Sequence, residues 1–418
     1  MIEIIEVKTK KDRRDFVDFP TKLYKGNDYY VHPLRMDEMD IFNPKKNVSF
    51  DECDIVYYLA KREGVVVGRI CGVLQKVYNE KTGTKRVRFG RFDFIDDVEV
   101  SRALLSKVEE WAKSKGMNAI HGPLGFNDLD REGLLIKGYD RLATFEENYN
   151  YPYYKDHIEA CGYEKEIDYF AHRIKLPTEK DERIERLAQM VLKRFNLHIA
   201  TAKNKKDYLN KYIDGIFEVL DIAYGDLYGV IPYNERLKQS IVNQFKMVLN
   251  MKYIITLLDE NDRVVAFGIA LPELANAVRK SKGRLLPFGL FRILRAKNRG
   301  PVADFALIGL RKEYKNKGIP AVMLNYIIQG AKDVGVTTIE TNQTLEDNFN
   351  MLQLYKNFTD IERHKQYRCF VKYLDKKPEA EKPAKKSTAK KTTTKKSTTK
   401  KTVTKKTTTK KTTKKVEK

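Results

Sequence analysis

Lys315, Lys317 and Gly318 lie where a short apolar run gives way to a run of helical spacing, and together they have the makings of a phosphate cradle. Val302–Leu310 is rich in β-formers and short, as a buried strand should be. The turn that follows, Arg311 to Pro320, carries three lysines and a glycine. After it Val322, Leu324, Tyr326 and Ile327 repeat at helical spacing as far as Gly330. The first turn of a helix leaves backbone N–H groups without partners, and its dipole favours an anion there. The two lysines add positive charge, Gly318 lets the backbone approach a ligand, and Pro320 suits a position where a missing N–H costs nothing. A solvated surface turn can have the same composition.

The run from Leu310 through Pro320 also resembles the acetyl-CoA signature of GNAT-type N-acyltransferases. Lys315, Lys317 and Gly318 match it in type and spacing, while Lys312 stands where Pro is usual and Pro320 where the last Gly or Ala is usual. The resemblance implies that Leu310, Lys315, Asn316, Lys317, Gly318 and Ile319 hold acetyl-CoA as cosubstrate. It also implies an acetyl or other acyl group passing to an amine. The segment Leu345–Phe358 resembles the family's Asn-x6-Tyr motif, with Asn348 to bond the cofactor arm and Tyr355 to protonate the departing thiolate. A buried core aromatic at helical spacing would give Tyr355 the same pattern.

Such a transfer needs a neutral amine, and amines have free pKa values of roughly 8 to 10.4, so a base or a desolvated site must remove a proton. Asp304 on the central strand and Glu340 on the next, Thr337–Thr341, are the carboxylates placed for this, with charged rim residues as the alternative reading. A water chain could serve instead of a single base.

Two similar halves position these groups. Residues 1–176 read as strand, helix, a hairpin around Glu63-Gly64, strand, helix, strand. Thr178–Phe195 is a helical connector (177–197), and 198–375 repeats the order. This matches an α/β (α+β) fold of two tandem GNAT-like mixed-sheet domains. The first is degenerate, because Asp96, Asp97 and Glu99 replace the glycine-containing turn and would repel pyrophosphate. Tandem arrangements also occur in Fem-type transferases that use aminoacyl-tRNA, which gives an alternative function. Residues 121–154 are expected to wall a cleft, with a packed Ω-loop that contributes only stability as the alternative. Residues 273–300 form a basic amphipathic stretch that packs as a lid or meets an anionic surface.

The chain has 418 residues and a net charge of +23, and is long enough for two or three domains. The four cysteines form no CxxC pair and the six histidines no HxxxH, so no metal site is expected and a reducing cytoplasm fits. The first residues, Met1-Ile-Glu-Ile-Ile-Glu, read as a strand and not as a signal peptide. From Lys376 onward Lys pairs recur every five residues, with 18 Lys against 3 Glu. Almost nothing there is apolar, so 376–418 is expected to be disordered. This tail resembles the arms of histone H1-like bacterial proteins, which implies contact with nucleic acid or another polyanion, and association with the nucleoid. A degenerate, non-catalytic body tethered by such a tail is a further alternative.

Overall fold

The computed structural model describes residues 1–179, 182–297, 300–356 and 358–375, and the expectations for 376–418 lie outside these. The chain opens with β1 (Glu3–Glu6), α1 (Lys10–Leu23) and α2 (Arg35–Asp40), then the hairpin β2 (Cys53–Arg62) and β3 (Val65–Gln75). There follow α3 (Lys76–Thr82), β4 (Arg86–Phe94), α4 (Val98–Ser114), β5 (Ala119–Gly122), β6 (Leu134–Lys137), α5 (Tyr153–Ala160) and β7 (Glu164–Lys175). The connector helix is α6 (Glu182–Arg194). Beyond it come β8 (His198–Ile199), α7 (Lys205–Tyr224), α8 (Glu235–Phe245), β9 (Ile254–Leu258) and β10 (Val264–Pro272). The basic stretch folds into α9 (Ala275–Lys280) and α10 (Gly289–Ala296). Last are β11 (Val302–Leu310), α11 (Ile319–Lys332), β12 (Thr338–Thr341), β13 (Thr344–Leu345), α12 (Phe349–Tyr355) and β14 (Ile361–Tyr373).

Local chemistry sets most of these boundaries. Thr9, Asp97, Asn204, Asn234 and Asn348 each turn a side-chain oxygen onto the first amides of α1, α4, α7, α8 and α12. The apolar spacing that reaches Gly330 lies within α11, which runs on to Lys332, and Gly330 is a packing position where a Cβ would collide with the carbonyl oxygen of Lys252.

All the strands join one mixed sheet, ordered β1-β2-β3-β4-β5-β14-β7-β12-β11-β10-β9-β8, with β6 on β14 and β13 on β7. The closing strands are exchanged. β14, from the end of the second half, lies against β5, and β7, from the end of the first, lies against β12. Neither half therefore completes its own sheet. Their alternating apolar pattern suits either neighbour, and the pairing β14–β7, antiparallel from Ile361–Ile174 to Val371–Glu164, joins them down the middle.

Each half packs one long helix on the same kind of strand pair. Val100, Leu104, Leu105 and Val108 of α4 cover Val87, Phe89 and Ile120. Ile319, Val322, Met323 and Ile327 of α11 cover Val265, Ala303, Phe305 and Ile339. Full burial of such side chains contributes roughly 1.5–3 kcal/mol each. A third cluster bridges the halves, with Tyr24, Tyr30, Leu124 and Tyr149 against Leu274, Val278, Ile293 and Tyr367.

Candidate functional site

At the end of β11 the chain makes one 3₁₀ turn, Lys312–Tyr314, and reaches α11 through Asn316 at φ +60° and Gly318 at φ +76°. No side chain caps this helix. Its entrance is fixed from below and from the side. Arg311 is buried, with Nε donating to the carbonyl of Val264 at 2.7 Å and its guanidinium 2.7 Å from Glu218. The Lys317 ammonium stands 4.9 Å from the ring centres of both Phe195 and Tyr314, a cation–π clamp that holds its charge beside the turn. Among the described residues, the amides of Asn316, Lys317 and Gly318 have no recorded acceptor.

The matching place in the first half is already filled. The Asp97 carboxylate accepts from the amide of Glu99 at 2.8 Å and from Arg62 at 2.5 Å, so an anion is built into the entrance of α4. Here too the central strands part: β4 and β5 pair from Arg86–Ala119 to Arg88–His121, the amide of Leu124 then donates to the carbonyl of Phe89 at 2.8 Å, and farther along β4 the amide of Phe94 donates to the Tyr154 hydroxyl at 3.1 Å.

In the second half the sheet opens in the same way. β11 and β12 pair in parallel only from Val302–Thr338 to Phe305–Thr341, after which Asn342 still donates to the carbonyl of Phe305 at 2.9 Å. The chain then leaves through Gln343 to β13, which joins β7, while the rest of β11 keeps β10 alone. The gap has polar walls. The amide of Ile308 points into it, away from β10, and donates to the Tyr224 hydroxyl at 3.3 Å. Gln343 donates to the carbonyl of Glu132 at 3.2 Å.

The expected acid–base residues gather near the closed end of this gap, on two faces of the sheet. Tyr355 is buried on the α11 face, its hydroxyl 3.3 Å from that of Thr344 and its ring 4.9 Å from His172. Burial pushes its phenol above the ordinary value. The same burial, with Arg363 nearby, lowers His172 to about 4, so that ring is neutral. Asn348 caps α12, accepting from the amide of Met351 at 3.3 Å.

Asp304 and Glu340 alternate with Phe305 and Thr341 and so face away from α11. They are register partners. Both are inside the protein and not on a rim: Asp304 is 9% exposed. Lys365 lies among them, fully buried, touching Glu147, reaching Glu340 at 3.4 Å and donating to the carbonyl of Leu142 at 3.2 Å. Burial disfavours its charge, but Glu147, Glu340 and Asp304 outweigh this and hold it above the usual lysine value. Two carboxylates, Glu147 and Glu340, contact this one ammonium, and Asp304 also feels its charge. Burial, then Glu340, Glu273 and Glu147, push Asp304 well above the carboxylate range, and burial also raises Glu340. Neither Asp304 Oδ1 nor Glu147 Oε1 has a hydrogen-bond partner among the described residues.

Sequence reasoning passed over Glu147 and Lys365, together with two more acids of the 121–154 segment. Glu132 is buried and its carboxyl is pushed well up by burial and by Asp128, which is itself raised. The signal available was a loop too long and too rich in acids and aromatics to be a plain connector. Ser101, His157 and Asp96 line up at 3.2 Å and 3.1 Å, as nucleophile, base and acid might. The serine is fully buried and donates to the carbonyl of Val98, so these three side chains tie α4 to α5. Among the described residues no group of His, Cys, Asp or Glu is placed to hold a metal ion, and no helix is long and apolar enough to cross a membrane.

No family model matches the chain. Protein YghO of Escherichia coli (strain K12) is 28% identical over 374 residues, which is 87% of this chain and 94% of that protein. Bacterial ceramide synthase of Caulobacter vibrioides is 26% identical over 383 residues, 89% of this chain and 98% of its own length. A tandem GNAT protein from the clavulanic acid biosynthesis pathway superposes with a TM-score of 0.52 at 10% identity, over 90% of this chain and all of that one. The GCN5-related glucosamine N-acetyltransferase region of a fungal multi-domain GH3 β-N-acetylglucosaminidase gives 0.52 at 12% identity, over 89% of this chain and 38% of that one.

Proposed function

We propose that this chain, which has the tandem GNAT fold, transfers an acyl group from a coenzyme A thioester to an amine, with its second half holding the donor. One asymmetry carries the reading: the helix entrance at Gly318 is uncapped, flanked by lysines and set beside the gap in the sheet, whereas the matching entrance in the first half holds the Asp97 carboxylate. The amides of Lys317, Gly318 and Ile319, with Lys315 and Asn316 beside them, would take the donor's diphosphate. Leu310 and the gap would take its arm, and the Asn348 amide would reach toward that arm. The thioester supplies an activated acyl carbon.

The chain's own groups then have separate tasks. The Ile308 amide, on the edge of β11 that β12 leaves, would serve the thioester carbonyl once that carbonyl takes the place of the Tyr224 hydroxyl that the amide now meets at 3.3 Å. Raised carboxyls at Asp304 and Glu340 hold a proton more firmly than free carboxylates do, which is the direction a proton acceptor needs. Tyr355 keeps its proton and serves the departing thiol from the opposite face. One relative is named a ceramide synthase, and a ceramide is a fatty amide. This supports a long-chain donor or amine as readily as the acetyl group first expected.

Calorimetric titration of the full chain with acetyl-CoA and with palmitoyl-CoA tests the reading. Binding of at least one is expected, weakened at least tenfold, or about 1.4 kcal/mol, by Lys315→Glu. No binding of either at millimolar concentration would overturn it. Pro320 favours a second reading, since it lacks an N–H where the phosphate would use one. This is a non-catalytic body whose tail binds nucleic acid, which predicts salt-sensitive DNA binding and no thioester binding.

A further inference from the structure

Leu286, Phe288, Phe291 and Leu294 turn outward around α10 and are 78%, 65%, 67% and 45% exposed. The opposite side of the helix is anchored, with Gly289 and Ile293 buried and Ile293 in the cluster that joins the halves. The outward residues from Phe288 on recur every third position, so they form one ridge on a fixed support. Between Leu274 and Gly300 the sequence holds eight Lys or Arg and no acid. Lys282, Arg284, Arg292 and Arg295 are exposed around the ridge. Arg284 and Lys282 also line a concavity next to it, whose other walls include His32, Glu38 and the paired Arg35 and Asp18.

We infer that this ridge docks the protein on an anionic lipid bilayer, with Phe288 and Phe291 entering the boundary between headgroups and acyl chains and the cations meeting lipid phosphates. An apolar stripe of Phe and Leu edged by Lys and Arg is the pattern of an interfacial helix. Charge complementarity selects the occupant. A second copy docked ridge to ridge would set these four exposed cations against four more, whereas an anionic surface neutralises them. The placement goes beyond the acyl-transfer reading and does not depend on it. It does bear on delivery: the chain passes into α9 directly from Pro272, whose neighbour Leu271 pairs with Asp304. The docking face therefore forms the connection between β10 and β11, the strand that carries Asp304.

The test is co-sedimentation of the full chain with phosphatidylglycerol-containing vesicles at about 0.1 M and about 0.5 M NaCl. At the higher salt the Debye length is well under 10 Å and binding through the lysine-rich tail is suppressed, while apolar insertion persists. Wild type is expected to stay bound at the higher salt. The Phe288→Ser/Phe291→Ser double variant is expected to lose at least tenfold in vesicle affinity there, with an unchanged circular dichroism spectrum. Ile184→Ser/Leu187→Ser, on the exposed stripe of α6, should bind like wild type. Wild type that fails to bind at the higher salt, or a double variant that binds equally well, overturns the inference. So does a double variant whose change is instead in the oligomeric state of the free protein or in single-stranded nucleic-acid affinity.

Discussion

Asp304 faces Glu340 across two parallel strands, in register and on the same side of the sheet. Two carboxyls held about one strand spacing apart, near 4.8 Å, cannot both be cheaply ionised inside a protein. Lys365 contacts Glu340 and Glu147, which leaves Asp304 as the acid whose Oδ1 has no partner among the described residues.

Stability should therefore depend on pH through Asp304. Its folded pKa is raised well above the usual value, so the folded chain retains a proton that the unfolded chain has released above about pH 4. The favourable contribution is complete at acid pH and declines as pH rises toward the folded value. Asp304→Asn removes that decline. Thermal melts should show the variant above wild type at pH 8 and the two converging near pH 4. A variant less stable than wild type at pH 8 would mean that Asp304 is ionised and paired.

Lys365→Met leaves Glu147 and Glu340 buried without their cation. The expected loss is about 3–5 kcal/mol by urea denaturation. Adding Glu147→Leu should recover much of it, because a buried ion pair and an apolar pair of similar volume are often close in energy. A double variant no better than the single one would show that Lys365 acts mainly on Glu340.

Tyr355→Phe separates chemistry from packing. The hydroxyl meets Thr344 at 3.3 Å, so its loss should cost no more than about 1 kcal/mol of stability. If the phenol protonates the thiolate, turnover should fall about 10²–10⁴-fold with donor affinity unchanged. A fall of less than about threefold would leave Tyr355 as a core aromatic, well below the range for general acid catalysis.

Gly318→Ala puts a side chain on a residue at φ +76°, which costs roughly 1–2 kcal/mol for an L-residue. The new Cβ would stand 3.5 Å from Val191, an ordinary contact, so the strain comes from the backbone. Calorimetry should show weaker acyl-CoA binding, and thermal melts a modest drop.

Expression of 1–176 alone should give an aggregated or unfolded product. Its β5 and β7 would each miss β14, which lies between them. Co-expression with 198–375 should restore soluble protein, and size-exclusion chromatography of the two together and apart would show it.

How much of this was legible in the sequence depends on range. The contrast between Asp97 and Gly318 at two helix entrances is local chemistry and could be read directly. The β11–turn–α11 unit and the carboxylates on neighbouring strands follow from periodicity. The burial of Lys365 does not, because it is set by Glu147, far away in the chain, and a lysine in a strand otherwise reads as solvent-facing. The exchange of β7 and β14 is hidden for a related reason: an alternating strand has the same pattern whichever sheet edge it joins. The ridge on α10 was visible as a basic amphipathic stretch, but its anchoring through Ile293 was needed to tell which residues point outward.

The strand exchange also sets an order of events during synthesis. The N-terminal half leaves the ribosome with a gap where β14 belongs, and that strand is the last described element to be made. At about 5–20 residues per second, the wait is on the order of ten seconds or more. Throughout that time β5 and β7 offer unpaired edges to any passing chain. A nascent protein of this topology therefore has reason to depend on chaperones until its final strand arrives.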